Sequence, residues 1–167
     1  MHPINQQELE ESLNEAINGR RCTEAWLGYG EDLFLGFGGD KESDRTDCIP
    51  PYELQSVFAD WWIEDKTGIM ATADDERAKA EEAARLLIRQ TAVSWRFASF
   101  PLSLEIEFDG GMKVVIMPMA DALERTLHEE AWNLRMPDGY YRFARWDGTL
   151  FALHKDEPCS NRPSEEC

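Results

Sequence analysis

The sequence predicts an α+β fold: two repeated helix-plus-antiparallel-sheet units with a C-terminal β-hairpin. Apolar residues recur at helical spacing in two separate stretches, whereas elsewhere they mostly alternate with polar residues, as in strands with one buried face. Glycine-containing turns separate neighbouring strands. The 167 residues are enough for one domain that buries about 70% of the surface of its unfolded chain.

Two helices are predicted from the spacing of the apolar residues. The first spans 6–17, where Leu9 and Leu13 lie on one stripe and glutamates occupy the other faces. Gly19 follows it, and glycine favours the end of a helix because it tolerates a left-handed backbone. The second spans about 75–88 and has an alanine-rich apolar face. Its acidic start suits the positive end of the helix dipole.

The remaining periodic segments are predicted to be strands. They are 33–37, 52–64, 93–97, 102–108, 112–117, 140–145 and 149–154. The second of these is interpreted as one long strand that carries Trp61 and Trp62. Val93, Trp95 and Phe97 are predicted to share one face of their strand.

A shift of 71 residues, the separation of Leu33 from Leu104, aligns similar residues in the two halves. It matches Trp61 with Trp132. It also matches Trp26 with Phe97, so that all four aromatic residues are predicted to pack in the core.

The chain is therefore interpreted as one domain built by duplication. Its predicted parts are a domain at 1–154, repeats at about 4–68 and 75–139, a hairpin at 140–154 and a flexible tail at 155–167.

The segments that carry the repeat also carry a resemblance. They read GYGEDLFLGFG at 28–38, WWIE at 61–64, LEIEFDGG at 104–111, WNL at 132–134 and PDG at 137–139. This pattern resembles a broad set of small, functionally uncharacterised bacterial domains, some of which look like immunity proteins that accompany secreted toxins. The resemblance implies an α+β architecture and a toxin as partner, and it transfers no catalytic residue.

The charge of the chain narrows the class of partner. Acidic residues outnumber basic ones by 33 to 17, which gives a formal net charge of −16. Such a charge disfavours nucleic acid, whose phosphates require a basic face, and suits a basic protein. The N-terminal residues are polar, and no apolar run approaches the roughly 20 residues that cross a bilayer. A cytoplasmic protein without a membrane partner is therefore expected.

No catalytic or metal-binding motif stands out. The glycines near Gly28 lie between strands and are interpreted as a turn, not as a phosphate-binding loop. The acidic loop at 38–51 lacks the glycine and the final glutamate of an EF-hand. The cysteines form no CxxC pair, so that no zinc is expected, and Cys22 is interpreted as a small buried residue. His128, beside two glutamates, is the one candidate for acid–base chemistry.

The leading hypothesis is an inhibitor, not an enzyme, that occludes one basic cognate protein as an immunity protein blocks a toxin. Its candidate contact residues are eight acids and two tryptophans: Glu31, Asp32, Asp40, Glu42, Asp44, Asp60, Glu64, Asp65, Trp62 and Trp146. Trp62 is predicted to point away from Trp61, because strand side chains alternate. Two alternatives remain open: a ligand-binding or sensory module with a pocket between the repeats, and an enzyme that uses His128.

Overall fold

A computed structural model describes residues 2–38, 52–57, 59–98, 103–118, 130–137, 140–145 and 149–154. Within these ranges the chain forms an α+β fold of two helices and two antiparallel sheets. In chain order the elements are β1 (His2–Pro3), α1 (Gln6–Ile17), β2 (Arg21–Leu27), β3 (Leu33–Gly38), β4 (Tyr52–Ser56), β5 (Ala59–Asp65), β6 (Gly68–Thr72), α2 (Arg77–Arg85), β7 (Ala92–Phe97), β8 (Leu104–Phe108), β9 (Lys113–Pro118), β10 (Glu130–Arg135), β11 (Tyr140–Arg145) and β12 (Leu150–His154).

The two sheets draw strands from both halves of the sequence. Sheet A has the order β1-β12-β11-β10-β4-β3-β2, and sheet B has the order β6-β5-β9-β8-β7. The predicted C-terminal hairpin is present as β11 and β12 in sheet A. Apolar residues of both sheets and both helices form one hydrophobic core cluster. Four strands, β1, β2, β6 and β10, are not among those predicted from the sequence.

The first helix agrees with its predicted limits. The side chain of Asn5 accepts a hydrogen bond from the backbone N–H of Glu8 at 2.8 Å, which caps the start of α1. Leu9 and Leu13 are buried beneath it, and Gly19 follows with a φ of 83°. The second helix is shorter than predicted, because Asp75 accepts a hydrogen bond from the backbone of the preceding strand and stays outside α2. No helix among the described residues is long and apolar enough to cross a membrane.

Helix α1 also covers the edge of sheet B through its polar side chains. Asn14 donates to the carbonyl of Trp95 at 2.8 Å and accepts from its N–H at 2.9 Å. Glu10 accepts from the N–H of Phe97 at 2.5 Å, and Gln6 donates to the carbonyl of Phe97 at 3.2 Å. Three side chains one helical turn apart therefore satisfy backbone groups of the edge strand β7.

The prediction of one strand over 52–64 is wrong. The chain forms β4 and β5, which belong to different sheets. Leu54 on β4 and Trp61 on β5 are both buried in the core. Leu54 and Trp61 are seven positions apart, and residues an odd number of positions apart in one unbroken strand lie on opposite faces. The break between the two strands allows both side chains to face the core.

Two burial predictions are also wrong. Val93 is 46% exposed, because a bulge at the start of β7 places Ala92 in the core instead. Trp26 is 45% exposed, whereas Phe97, its predicted counterpart, is 6% exposed. A bulge in β2 shifts that strand by one residue, so that Trp26 lies on the outer face, stacked on Phe34 at 4.0 Å.

The prediction that Cys22 is a small buried residue is confirmed. Its side chain is fully buried and forms no disulfide. Burial raises the pKa of the Cys22 thiol to about 12, so it stays protonated and unreactive at neutral pH. Cys48, Cys159 and Cys167 lie outside the described residues.

Candidate functional site

The candidate site is centred on Trp62, on the outer face of sheet B, which is the face turned away from the core. Trp61 and Ile63 point into the core and are buried. The alternation along β5 therefore places Asp60, Trp62 and Glu64 on the outer face, as predicted for Trp62. The indole is half-buried, and its Nε1–H donates a hydrogen bond to Glu64 Oε2 at 3.0 Å. This bond restrains the ring.

Val115 and Thr72 flank the tryptophan on the two neighbouring strands. Val115 of β9 lies directly opposite Trp62 and is only 2% exposed, although it lies outside the hydrophobic core cluster. Thr72 of β6 lies on the other side of Trp62. Trp62 therefore has one apolar neighbour, Val115, paired with it on this sheet.

A charge network of five side chains extends from Trp62 across sheet B. Lys113 Nζ lies 2.7 Å from Glu64 Oε1 and 3.9 Å from Glu105 Oε2. Arg96 contacts Glu105 at 3.0 Å and Glu107 at 2.6 Å. The hydrogen bond from Lys113 lowers the pKa of Glu64, and the same bond raises the pKa of Lys113. Cations thus already neutralise part of the acidic surface that the sequence predicts here.

We expect Lys113→Met to destabilise the protein by no more than about 1 kcal/mol near neutral pH, because the ion pair is partly exposed. Because the pKa of Glu64 is lowered in the folded protein, the ion pair stabilises the protein fully at pH values above the pKa of Glu64 in the unfolded chain. This stabilisation is lost as the pH falls through the lower pKa of the folded state. Urea unfolding at pH 7 and pH 3 measures this. The Lys66→Met variant is the control, since Lys66 is exposed and outside the network. An equal loss at both pH values would contradict the assignment.

Two of the predicted acids lie in the turn between β2 and β3. The backbone carbonyl of Glu31 accepts a hydrogen bond from Trp61 Nε1–H at 2.8 Å, and Glu31 has a φ of 71°. Asp32 Oδ2 accepts a hydrogen bond from Gln55 at 3.3 Å, and burial raises the pKa of Asp32. The bond to Trp61 fastens this turn to the strand that carries Trp62.

Of the remaining predicted contact residues, Asp65 is the last residue of β5 and four others lie outside the described residues. Asp65 Oδ1 accepts hydrogen bonds from the N–H and the hydroxyl of Thr67 at 2.7 and 2.6 Å, and these bonds lower the pKa of Asp65. Asp65 therefore shapes the turn between β5 and β6. The other predicted contact residues, Asp40, Glu42, Asp44 and Trp146, lie outside the described residues, as does His128.

Sequence reasoning missed an aromatic group on the outer face of sheet A. The rings of Trp26 and Phe34 are parallel, with centroids 4.0 Å apart. Tyr29, in the turn that joins their two strands, is fully exposed. The alternation of buried and exposed residues along β3 indicates this aromatic group. Because Leu33 and Leu35 face the core, Phe34 must face outward.

A shallow depression of about 300 Å³ lies at one end of the outer face of sheet B. It is lined by the β5–β6 turn and the β8–β9 turn, so both halves of the sequence contribute. Five of its nine lining residues are charged, among them Lys66, Lys113 and Glu107. Among the described residues, no group of three or more metal-ligating side chains could hold a metal ion.

Comparison of the chain with protein-family models, with curated proteins and with solved structures finds no match. The resemblance to small bacterial domains therefore stays a prediction. The proposals below rest on the geometry of the outer faces and on the charge of the chain.

Proposed function

We propose that this protein is a cytoplasmic inhibitor that binds one basic cognate protein and occludes its working surface, as an immunity protein blocks a toxin. The observation that carries the proposal is Trp62, an indole held by Glu64 on the outer face of sheet B. Tryptophan is enriched among residues that dominate binding energy. A ring that is already ordered loses less conformational entropy when a partner covers it.

The charge of the chain supports a basic partner. We assign long-range charge to the association step and the contact at Trp62 to the dissociation step. The net charge of −16 attracts a basic protein over long range and raises its association rate. Glu31 and Asp32 lie in the turn that is bonded to Trp61 and add negative charge next to β5. Once the partner has docked, the buried contact at Trp62 governs how slowly it leaves.

We also propose that the chain consists of two units, α1 with β2–β6 and α2 with β7–β11, that exchange their last two strands. The order β11-β10-β4-β3-β2 in sheet A becomes β6-β5-β9-β8-β7 when each strand is replaced by its counterpart, and that is the order of sheet B. This correspondence supports the duplication predicted from the sequence. Under this proposal, Trp62 lies in a sheet that both units build.

The first test of the function is affinity capture. We expect the tagged protein to retain one basic partner near stoichiometrically from a lysate of its native host, at both low and moderate salt. With that partner, Trp62→Ala should raise the dissociation rate at least tenfold in surface plasmon resonance. The double variant Glu31→Lys with Asp32→Lys should instead slow association and weaken its salt dependence.

The matched control is Leu86→Ala, because Leu86 is an exposed apolar residue just after α2 and belongs to neither sheet. Its kinetics should equal those of the unmodified protein. Unchanged rates in both the Trp62 and the Glu31–Asp32 variants would exclude the occlusion mechanism.

The depression at the end of sheet B favours a second candidate function, a ligand-binding module. Its volume of about 300 Å³ and its lining from both halves match the alternative of a pocket between the repeats. A metabolite that raises the melting temperature of the protein, but not of a Lys113→Met variant, would support this function.

A further inference from the structure

The aromatic group on sheet A has the properties of a rigid docking surface. We define the aromatic platform as the stacked rings of Trp26 and Phe34; Tyr29 lies exposed in the turn that joins their strands. Trp26 is 45% exposed, and its ring is inclined by only 8° to that of Phe34. Phe34 covers one face of the indole, so the other face is available to a partner. This surface belongs to sheet A and is separate from Trp62 on sheet B.

The backbone beneath the aromatic platform fixes its shape. A Cβ atom at Gly28 would lie 2.5 Å from the Phe34 ring, so the close approach of the ring requires glycine there. Arg77 of α2 donates to the carbonyls of Leu27 and Gly28 at 2.6 and 3.0 Å. The ring of Phe34 and the guanidinium of Arg77 thus both contact the turn that carries Tyr29. Preorganisation of this kind reduces the entropic cost of binding.

The charges around the aromatic platform are predominantly negative. Glu24 lies on the same face of β2 as Trp26, about 7 Å away along the strand at 3.3 Å per residue. Glu31 and Asp32 belong to the same turn as Tyr29. Arg77, a cation next to this turn, is already bonded to Glu81 at 2.8 Å and to two backbone carbonyls.

An aromatic face beside carboxylates is the environment that an arginine side chain prefers. The guanidinium is planar, stacks on aromatic rings and presents several N–H groups that pair with carboxylates. We propose that the aromatic platform binds an arginine side chain of a basic protein partner, with the guanidinium stacked on Trp26 and donating to Glu24. The inference rests on the proposed function only in the basic character of the partner.

A peptide titration tests this assignment without the cognate partner. The full-length protein, labelled with ¹⁵N, is titrated with a blocked hexa-arginine peptide, and the indole N–H signals are followed by NMR. The signal lost in Trp26→Phe identifies Trp26. We expect this signal to shift more than that of Trp62. The uncharged hexa-citrulline peptide, which keeps the shape of the arginine side chain, is expected to leave all signals unchanged.

Variants decide whether the peptide binds at the aromatic platform. Trp26→Leu and, separately, Glu24→Gln should each raise the Kd for hexa-arginine at least fivefold. The control is Leu86→Ala, a change at an exposed apolar residue outside both sheets, which should change the Kd less than twofold. Trp62→Leu is measured beside these variants to detect any binding of the peptide on sheet B. Circular dichroism and thermal unfolding establish that each variant is folded, which the partial exposure of Trp26 leads us to expect.

Three results would overturn the inference. An unchanged Kd in both Trp26→Leu and Glu24→Gln would mean that the peptide follows net charge alone. Equal binding of hexa-citrulline would mean that no cation is recognised. A loss confined to Trp62→Leu would place basic ligands on sheet B, which would leave the proposed function standing while removing the platform.

Discussion

Replacing Trp132 by alanine is expected to destabilise the protein by about 3–5 kcal/mol, the range typical of a fully buried aromatic side chain. Trp132 is completely buried on β10 and packs against Phe97 of β7 with ring centroids 5.8 Å apart. The contact joins sheet A to sheet B, so the cavity would open between the two sheets. Urea unfolding at neutral pH measures the loss of free energy.

Phenylalanine variants of Trp61 and Trp132 separate the contribution of the ring's volume to stability from the contribution of its hydrogen bond. Trp132 Nε1 has no hydrogen-bond partner within the described part of the chain, whereas Trp61 Nε1–H donates to the carbonyl of Glu31. Both residues are almost completely buried. Trp61→Phe should therefore cost about 1 kcal/mol more than Trp132→Phe, because only the former leaves a carbonyl unpaired. Equal losses would contradict the assigned role of the Glu31 carbonyl.

Asn14→Ala is expected to cost about 2–3 kcal/mol and to promote aggregation. The variant would lose two hydrogen bonds to the backbone of Trp95, one to its N–H and one to its carbonyl. These groups lie on β7, at the edge of sheet B, and an uncovered edge strand is a template for pairing with other chains. Urea unfolding and light scattering on incubation at 37 °C measure the two effects.

The control for this variant lies on the same helix. Gln7 is exposed, and its side chain donates only to Glu11 one turn further along α1. Gln7→Ala likewise replaces a side-chain amide of α1 by a methyl group, but it removes no contact with β7. A loss of stability in Gln7→Ala as large as that in Asn14→Ala would mean that the effect arises within the helix and not at the sheet edge.

Local patterns in the sequence were sufficient for much of the fold. The limits of α1 follow from its apolar stripe and its flanking Asn5 and Gly19, because helix ends depend on nearby residues. The alternation in β8 and its hairpin partner β9 likewise predicts their pairing. The direction of Trp62 follows from the same rule, since a strand places neighbouring side chains on opposite faces.

Two features of the sequence were informative but were not interpreted correctly. The odd separation of Leu54 and Trp61 already indicates a break between β4 and β5. The outward position of Phe34 follows from the burial of its neighbours Leu33 and Leu35, and it marks the outer face of sheet A as aromatic.

The sequence by itself determined the class of fold, the first helix and the hairpins, because these depend on contacts between residues close along the chain. Only the tertiary structure decided that β5 and β6 join β7–β9, that Lys113 neutralises Glu64, and that Trp26 stacks on Phe34 outside the core. Pairing between distant strands and ion pairing join segments that are far apart along the chain, and a single bulge reverses which side chains are buried. Local periodicity in the sequence contains no information about contacts between distant segments or about the positions of bulges.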